Sequence, residues 1–112
     1  MLNMVALVGR ITHDLELIKT PSGKSVLNFS IAVNRRYSQE DRADFIKCVA
    51  WNNQAEFMGE YLTKGDLISI GGSIQSRSYD GDSGKRVYVQ EVVVTTVSAL
   101  ESREYRQGRI TA

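Results

Sequence analysis

The sequence predicts an all-β domain: five strands rolled into a small barrel, one short helix between the third and fourth strands, and a long hairpin of the fourth and fifth. Three observations carry that expectation. Leu27, Phe29, Ile31 and Val33 alternate with Asn28, Ser30, Ala32 and Asn34, the period of a half-buried strand. One stretch alone repeats its apolar residues at helical spacing: Ala55, Met58 and Leu62. Gly71-Gly72 interrupts a long apolar strand, where barrel closure needs a bulge or a sharp bend.

The first strand is the apolar stretch from Val5 to Ile11. Thr20-Pro21-Ser22-Gly23-Lys24 is a turn, with Pro at an early turn position. The alternating run through Val33 is strand two. Residues 35–44 are polar and read as a loop that carries one aromatic, Tyr37. Strand three runs from Phe45 to Trp51. Its side chains divide into Phe45, Lys47, Val49 and Trp51 on one face, and Ile46, Cys48 and Ala50 on the other. The second set suits a core and the first a binding surface.

Asn52 or Asn53 is the expected cap of the helix, and Lys64-Gly65 its C-terminal cation and stop. Phe57 and Tyr61 widen its apolar stripe and are expected in the core. Strand four runs from Leu67 to Tyr79, with Ile68, Ile70, Gly72 and Ile74 on one face and Gln75, Arg77 and Tyr79 on the other. Asp80-Gly81-Asp82-Ser83-Gly84 is the hairpin turn. Strand five, rich in Val, returns from Val87 to about Leu100. Residues 1–100 form the expected domain, and residues 101–112 a polar, flexible tail with three arginines against two glutamates. Three strands, a helix and two strands make the OB-fold pattern.

Composition narrows the chemistry. The chain has 112 residues, 42% of them hydrophobic, enough for one domain with a real core. Its net charge is only +1, so a basic surface has to come from the distribution of charge. One Cys excludes an internal disulfide. One Cys with one His excludes a Cys/His zinc site within the chain. His13 reads as an exposed loop residue and Cys48 as an inert core thiol. Neither a metal, a cofactor nor catalysis is expected. The apolar start lacks a basic leader and no run is long enough to span a membrane, so a cytoplasmic, nucleoid-associated protein is expected.

Several pieces together resemble the bacterial single-stranded DNA-binding protein family over about residues 1–100. They are Val8-Gly9-Arg10, Phe29-Ser30-Ile31-Ala32-Val33-Asn34, and Phe45-Ile46-Lys47-Cys48-Val49-Ala50-Trp51. Glu60-Tyr61-Leu62-Thr63-Lys64-Gly65, Gly72-Ser73-Ile74-Gln75-Ser76-Arg77-Ser78-Tyr79 and Tyr88-Val89-Gln90-Glu91-Val92 complete the set. The resemblance implies an OB-fold without catalysis, assembled as a homotetramer (a dimer of dimers), that wraps single-stranded DNA in replication, recombination and repair. It implies base stacking at Tyr37, Phe45, Trp51 and Tyr79. Members often carry tryptophan where this chain has Tyr37, Phe45 and Tyr79. Members also often have Asp-Pro in the first loop, where this chain reads His13-Asp14-Leu15-Glu16. Full-length members end in an acidic tip that recruits replication and repair proteins. This chain ends at Ala112 without one, as a short-form or phage-type member or a piece of a longer chain would.

The residues themselves support the same site. Aromatic rings stack on bases and nearby cations track phosphates. Phe45, Lys47 and Trp51 give that combination on one strand face, Arg77 and Tyr79 on the hairpin, and Arg35, Arg36 and Tyr37 in the loop. Arg10, Lys64, Lys85 and Arg86 are further candidates for phosphate contact, each with a plain solvated charge as the competing reading. Core packing competes for Trp51 and Phe45. Glu56, Glu60 and Asp66 make the helix side acidic, which points DNA to the other side. The alternatives are a primosome-type replication accessory protein and an OB-fold module that binds a protein or an oligosaccharide. First-strand residues Leu2, Met4 and Ala6, or Asn3, Val5 and Leu7, are expected at a subunit contact.

Overall fold

A computed structural model describes residues 1–36 and 42–101, so Tyr37 and nearly all of the expected tail lie outside the described residues. The order is β1 (Val5–Ile11), β2 (Ile18–Lys19), β3 (Ser25–Asn34), β4 (Ala43–Trp51), α1 (Asn52–Tyr61), β5 (Leu67–Asp80) and β6 (Arg86–Ala99). The five long strands fall where the sequence pattern puts them. The addition is β2, two residues paired to β3 through Ile18 opposite Val26 and Lys19 opposite Ser25. Residues 20–24 are the turn between these two strands, closed by Thr20 N–H to Lys24 O at 2.8 Å and Gly23 N–H to Thr20 O at 2.8 Å. Two residues are too few to leave a periodic signal, which is why the sequence did not announce β2.

The sheet runs in the order β1-β5-β6-β4-β3-β2 and closes on itself where β1 also meets β3. This is the OB-fold arrangement. Two of its seams are narrow. β1 and β3 pair only at Arg10 opposite Ala32 and Ile11 opposite Ile31. β4 and β6 run parallel and pair only at Cys48 opposite Val92 and Val49 opposite Val93. By contrast β3 and β4 pair along nine positions, from Val26–Trp51 to Asn34–Ala43. A glycine serves the first seam: a Cβ on Gly9 would sit 2.5 Å from Ala32 O.

The expected irregularity at Gly71-Gly72 is a bulge. Gly71 lies opposite Thr96 and Gly72 opposite Val94, so the extra residue is Thr95 of β6. Thr95 Oγ1 donates back to Gly71 O at 3.1 Å. A Cβ on Gly72 would run into the backbone carbonyl of Val93, so the strands approach this closely only with glycine there.

The core lies inside the ring. Leu27, Phe29 and Ile31 of β3 meet Cys48 and Ala50 of β4, Ile68 and Ile70 of β5, and Val92 and Val94 of β6. Ala55, Met58 and Leu62 close one end with the helical stripe the sequence predicts. Burial of each large apolar side chain contributes ~1.5–3 kcal/mol, which holds a helix too short to stand alone.

Several local expectations are corrected. Neither Asn52 nor Asn53 caps α1. The N-cap is Trp51, with no side-chain cap bond, and Asn52 itself has φ of 53°. The helix ends at Tyr61 with Leu62 as C-cap and no basic residue in its last turn. Lys64 and Gly65 therefore come after the helix, in a turn that Asp66 organises. Asp66 is fully buried and its Oδ2 accepts from Thr63 N–H at 2.8 Å, so it is a structural group and not part of an acidic surface. Tyr61 is exposed instead of packed inside, its ring 5.4 Å from that of Phe57. Ile74, expected on the core face, is also exposed. It lies directly opposite the buried Val92, at the level where the cover over the β5–β6 hairpin ends.

Candidate nucleic-acid interface

Phe45, Lys47 and Trp51 take their positions from β4. Each stands opposite a residue of β3: Ala32, Ser30 and Val26 respectively. Side chains directly opposite one another share a sheet face, and neighbours along a strand alternate. Val49 lies opposite Val93 across the β4–β6 seam, and Val93 lies opposite Ser73 across β5–β6. The face of Phe45, Lys47 and Trp51 is therefore continuous with that of Ser73, Gln75, Arg77 and Tyr79. The strand-by-strand reading of two aromatic-and-cation sets resolves into one surface.

Phe45 is 70% exposed, Trp51 39% and Tyr79 48%. Core packing is excluded for Phe45, while Trp51 is more than half covered and keeps its remaining surface open. Val49 departs from the expectation. It shares the face but is buried, because it forms the β4–β6 seam. Lys47 is exposed and makes no ion pair among the described residues. The Arg77 guanidinium carbon lies 6.0 Å from the Tyr79 ring centroid, and Arg77 Nε donates to Glu91 Oε1 at 3.0 Å.

Beyond the two-residue seam, β4 stays with β3 and β6 stays with β5. The strands part, and an open groove of about 570 Å³ lies in the fork. Phe45, Ile46 and Lys47 line one wall, and Tyr79, Val87 and Tyr88 lie on the hairpin side. Tyr88 was missed by the sequence reading. It is in phase with Gln90 and Val92, so alternation points it inward with the buried Val92. It is nonetheless 75% exposed, because it is close to the turn, past the end of the core. A Tyr within a few residues of a hairpin tip was the available signal.

The remaining cations are more scattered. Arg35 is held by Asp44, with Nη2 donating to Oδ1 at 2.9 Å and Nε at 3.1 Å. That bond raises the guanidinium pKa and lowers that of the Asp44 carboxyl, the bond being the largest cause for both. Arg36 is exposed. Lys85 is exposed in the hairpin turn, and Arg86 lies 4.0 Å from Asp80. Arg10 belongs elsewhere: Nη1 donates to Gly65 O at 2.9 Å and to Glu101, and its residue lines a separate hollow with Val8, Asn34 and Leu67. Lys64 is exposed after the helix. Neither Arg10 nor Lys64 lines the groove.

Cys48 is buried, and burial first, then the Glu91 charge, pushes its thiol up to about 12. It is an inert core thiol, as expected. His13 is exposed, with Nδ1 3.1 Å from Asp14 O. Among the described residues no cluster of His, Cys, Asp and Glu could hold a metal ion. No helix among them is long and apolar enough to cross a membrane.

Residues 2–100 match the model of the single-strand binding protein family. Relatives match over most of this chain. A single-stranded DNA-binding protein of Halalkalibacterium halodurans is 53% identical over 106 residues, covering 92% of this chain and 63% of the relative. Single-stranded DNA-binding protein 1 of Streptococcus agalactiae is 50% identical over 111 residues, covering 96% and 68%. Single-stranded DNA-binding protein 3 of Listeria innocua is 46% identical over 115 residues, covering 100% and 72%. The chain thus spans from under two thirds to just over two thirds of the length of these relatives.

Proposed function

The chain belongs to the single-strand binding protein family, and on that premise we propose that it binds single-stranded DNA without sequence preference and without catalysis. One observation carries the reading. Phe45, Lys47, Trp51, Arg77 and Tyr79 share one exposed sheet face. Rings at that spacing offer stacking faces to any base, and cations between them meet the phosphates. Arg35, Arg36, Lys85 and Arg86 extend the positive margin, and Tyr37, outside the described residues, is kept as a further stacking candidate. Held this way, an unwound strand is protected for replication, recombination and repair in the cytoplasm, at the nucleoid. The unit proposed as responsible is residues 1–100.

A homotetramer is part of the proposal. Leu2, Met4 and Val8 are exposed on the same side of the first strand as Ala6. Of the two sets weighed for a subunit contact, this is the unburied one. Val5 and Leu7 pack toward the core, and Asn3 is engaged with β5. A sedimentation mass of one chain at micromolar concentration would remove the tetramer from the account.

Retention on a filter tests the binding itself. Oligothymidylate should be retained at low salt and progressively less at high salt, while duplex of equal length passes. A folded chain that retains neither would return the protein to the class of protein-binding OB modules.

A further inference from the structure

We infer that the β5–β6 hairpin engages the strand on both of its faces, with Tyr88 stacking a base on the face opposite Tyr79. The inference rests on the single-strand reading above and extends it. Tyr79 lies opposite Val87 and Ser78 opposite Tyr88. Adjacent residues of a strand point to opposite faces, so Tyr79 and Tyr88 project to the two sides of one ribbon. Near the core the Tyr88 face is the inner one, since Val92 shares it and is buried. The cover ends at that level: Ile74, directly opposite Val92, is already 46% exposed, and Tyr88, farther out, is the most exposed aromatic ring among the described residues.

The fork between β4 and β6 gives a path from one face to the other. Tyr79 and Tyr88 both lie along it, with Phe45 and Lys47 on the facing wall. Its volume of about 570 Å³ falls within the ~300–1,000 Å³ of clefts that enclose organic ligands. The edge of β6 toward the fork has no strand partner from Arg86 to Glu91 among the described residues. Its free N–H groups suit phosphate oxygens, as backbone amides do in many nucleic-acid complexes. Lys47 supplies the charge at the crossing. A strand that stacks on Phe45 and Tyr79 can thus pass between β4 and β6 and stack on Tyr88 behind.

The test compares Tyr88→Ala, Tyr88→Phe and Phe45→Ala in the full chain. The probes are two oligothymidylates, one at each end of the ~4–16 nucleotides an OB fold covers. Tyr88→Ala should weaken the long oligomer on the order of tenfold and leave the short one unchanged. Tyr88→Phe should bind both as the parent chain does, because the ring is retained. Phe45→Ala should weaken both. Parent-like binding of the long oligomer by Tyr88→Ala, with Phe45→Ala weakened, would overturn the two-face inference and leave the single-strand reading standing. Parent-like binding by both alanine variants would overturn both. Tyr88 is exposed, so loss of fold does not confound the result, and circular dichroism of each variant verifies this.

Discussion

Arg77 Nε donates to Glu91 Oε1 at 3.0 Å, a diagonal pair across the β5–β6 hairpin in which the carboxylate is the more buried partner. The register places Gln75, not Arg77, directly opposite Glu91. The pair holds the guanidinium near the Tyr79 ring, and it also spends part of the positive charge at the centre of the proposed DNA face. Glu91→Gln should therefore raise affinity for single strands at low salt, by several-fold. It should steepen the salt dependence by about 0.7 in log–log slope, the share of one phosphate contact on a single strand. Titrations at three or more salt concentrations check both numbers. An unchanged slope would show that Glu91 does not compete with phosphate for Arg77.

Stacking and charge separate along β4. Phe45→Ala should lower affinity by ~1–3 kcal/mol without altering the salt slope. Lys47→Ala should flatten the slope by about 0.7 and have less effect at high salt. Both residues are exposed, so thermal unfolding should stay within ~0.5 kcal/mol of the parent chain. The paired readouts, affinity against salt and melting temperature, distinguish a binding defect from a folding one.

Gly72→Ala tests the bulge. The added methyl meets the backbone carbonyl of Val93, which cannot rotate aside as a side chain would. Destabilisation of roughly 2–4 kcal/mol is expected in urea unfolding. A loss under 1 kcal/mol would mean that β5 and β6 separate easily at this point.

Cys48 gives a pH signature. Its thiol keeps its proton in the folded chain up to about 12, against 9.0 in an unperturbed thiol. Between these values the unfolded chain has released the proton and the folded chain has not. Stability should therefore be unaffected below about 9 and fall as pH rises from 9 toward 12, by up to about 1.4 kcal/mol per pH unit. Cys48→Ala should remove this contribution, measured as the difference between urea midpoints at successive pH values. Glu91→Gln should lower the thiol pKa, since the Glu91 charge contributes to its rise.

Much of the architecture was legible because it repeats. In β3, Leu27, Phe29 and Ile31 are buried at period two against β4, and a pattern sustained over that length survives in the sequence. The helix stripe of Ala55, Met58 and Leu62 was legible for the same reason. What the sequence hid depends on long-range geometry. Asp66 reads as a surface acid until the turn from Thr63 folds over it. Val49 has the phase of a binding residue and is buried only because β6 arrives beside it. Tyr88 has the phase of a core residue and is exposed only because the hairpin outruns the core. In the candidate site, Phe45, Lys47, Trp51, Arg77 and Tyr79 were each legible singly. Their common face was not, since it follows from the parallel β4–β6 register, which no local pattern encodes. Arg10 looked like the other surface cations, and its partner Glu101 is 91 residues away.

Trp51 is the chain's sole tryptophan and sits on the proposed face, 39% exposed, so its emission reports the central claim directly. The measurement is a titration of the full chain with long oligothymidylate and with duplex of equal length, at low and high salt. Strong quenching by the single strand, little by the duplex, and partial loss of quenching at high salt are the predicted result. Unchanged Trp51 emission under conditions where the single strand is shown to be bound would contradict the account, because the strand would then lie on some other surface.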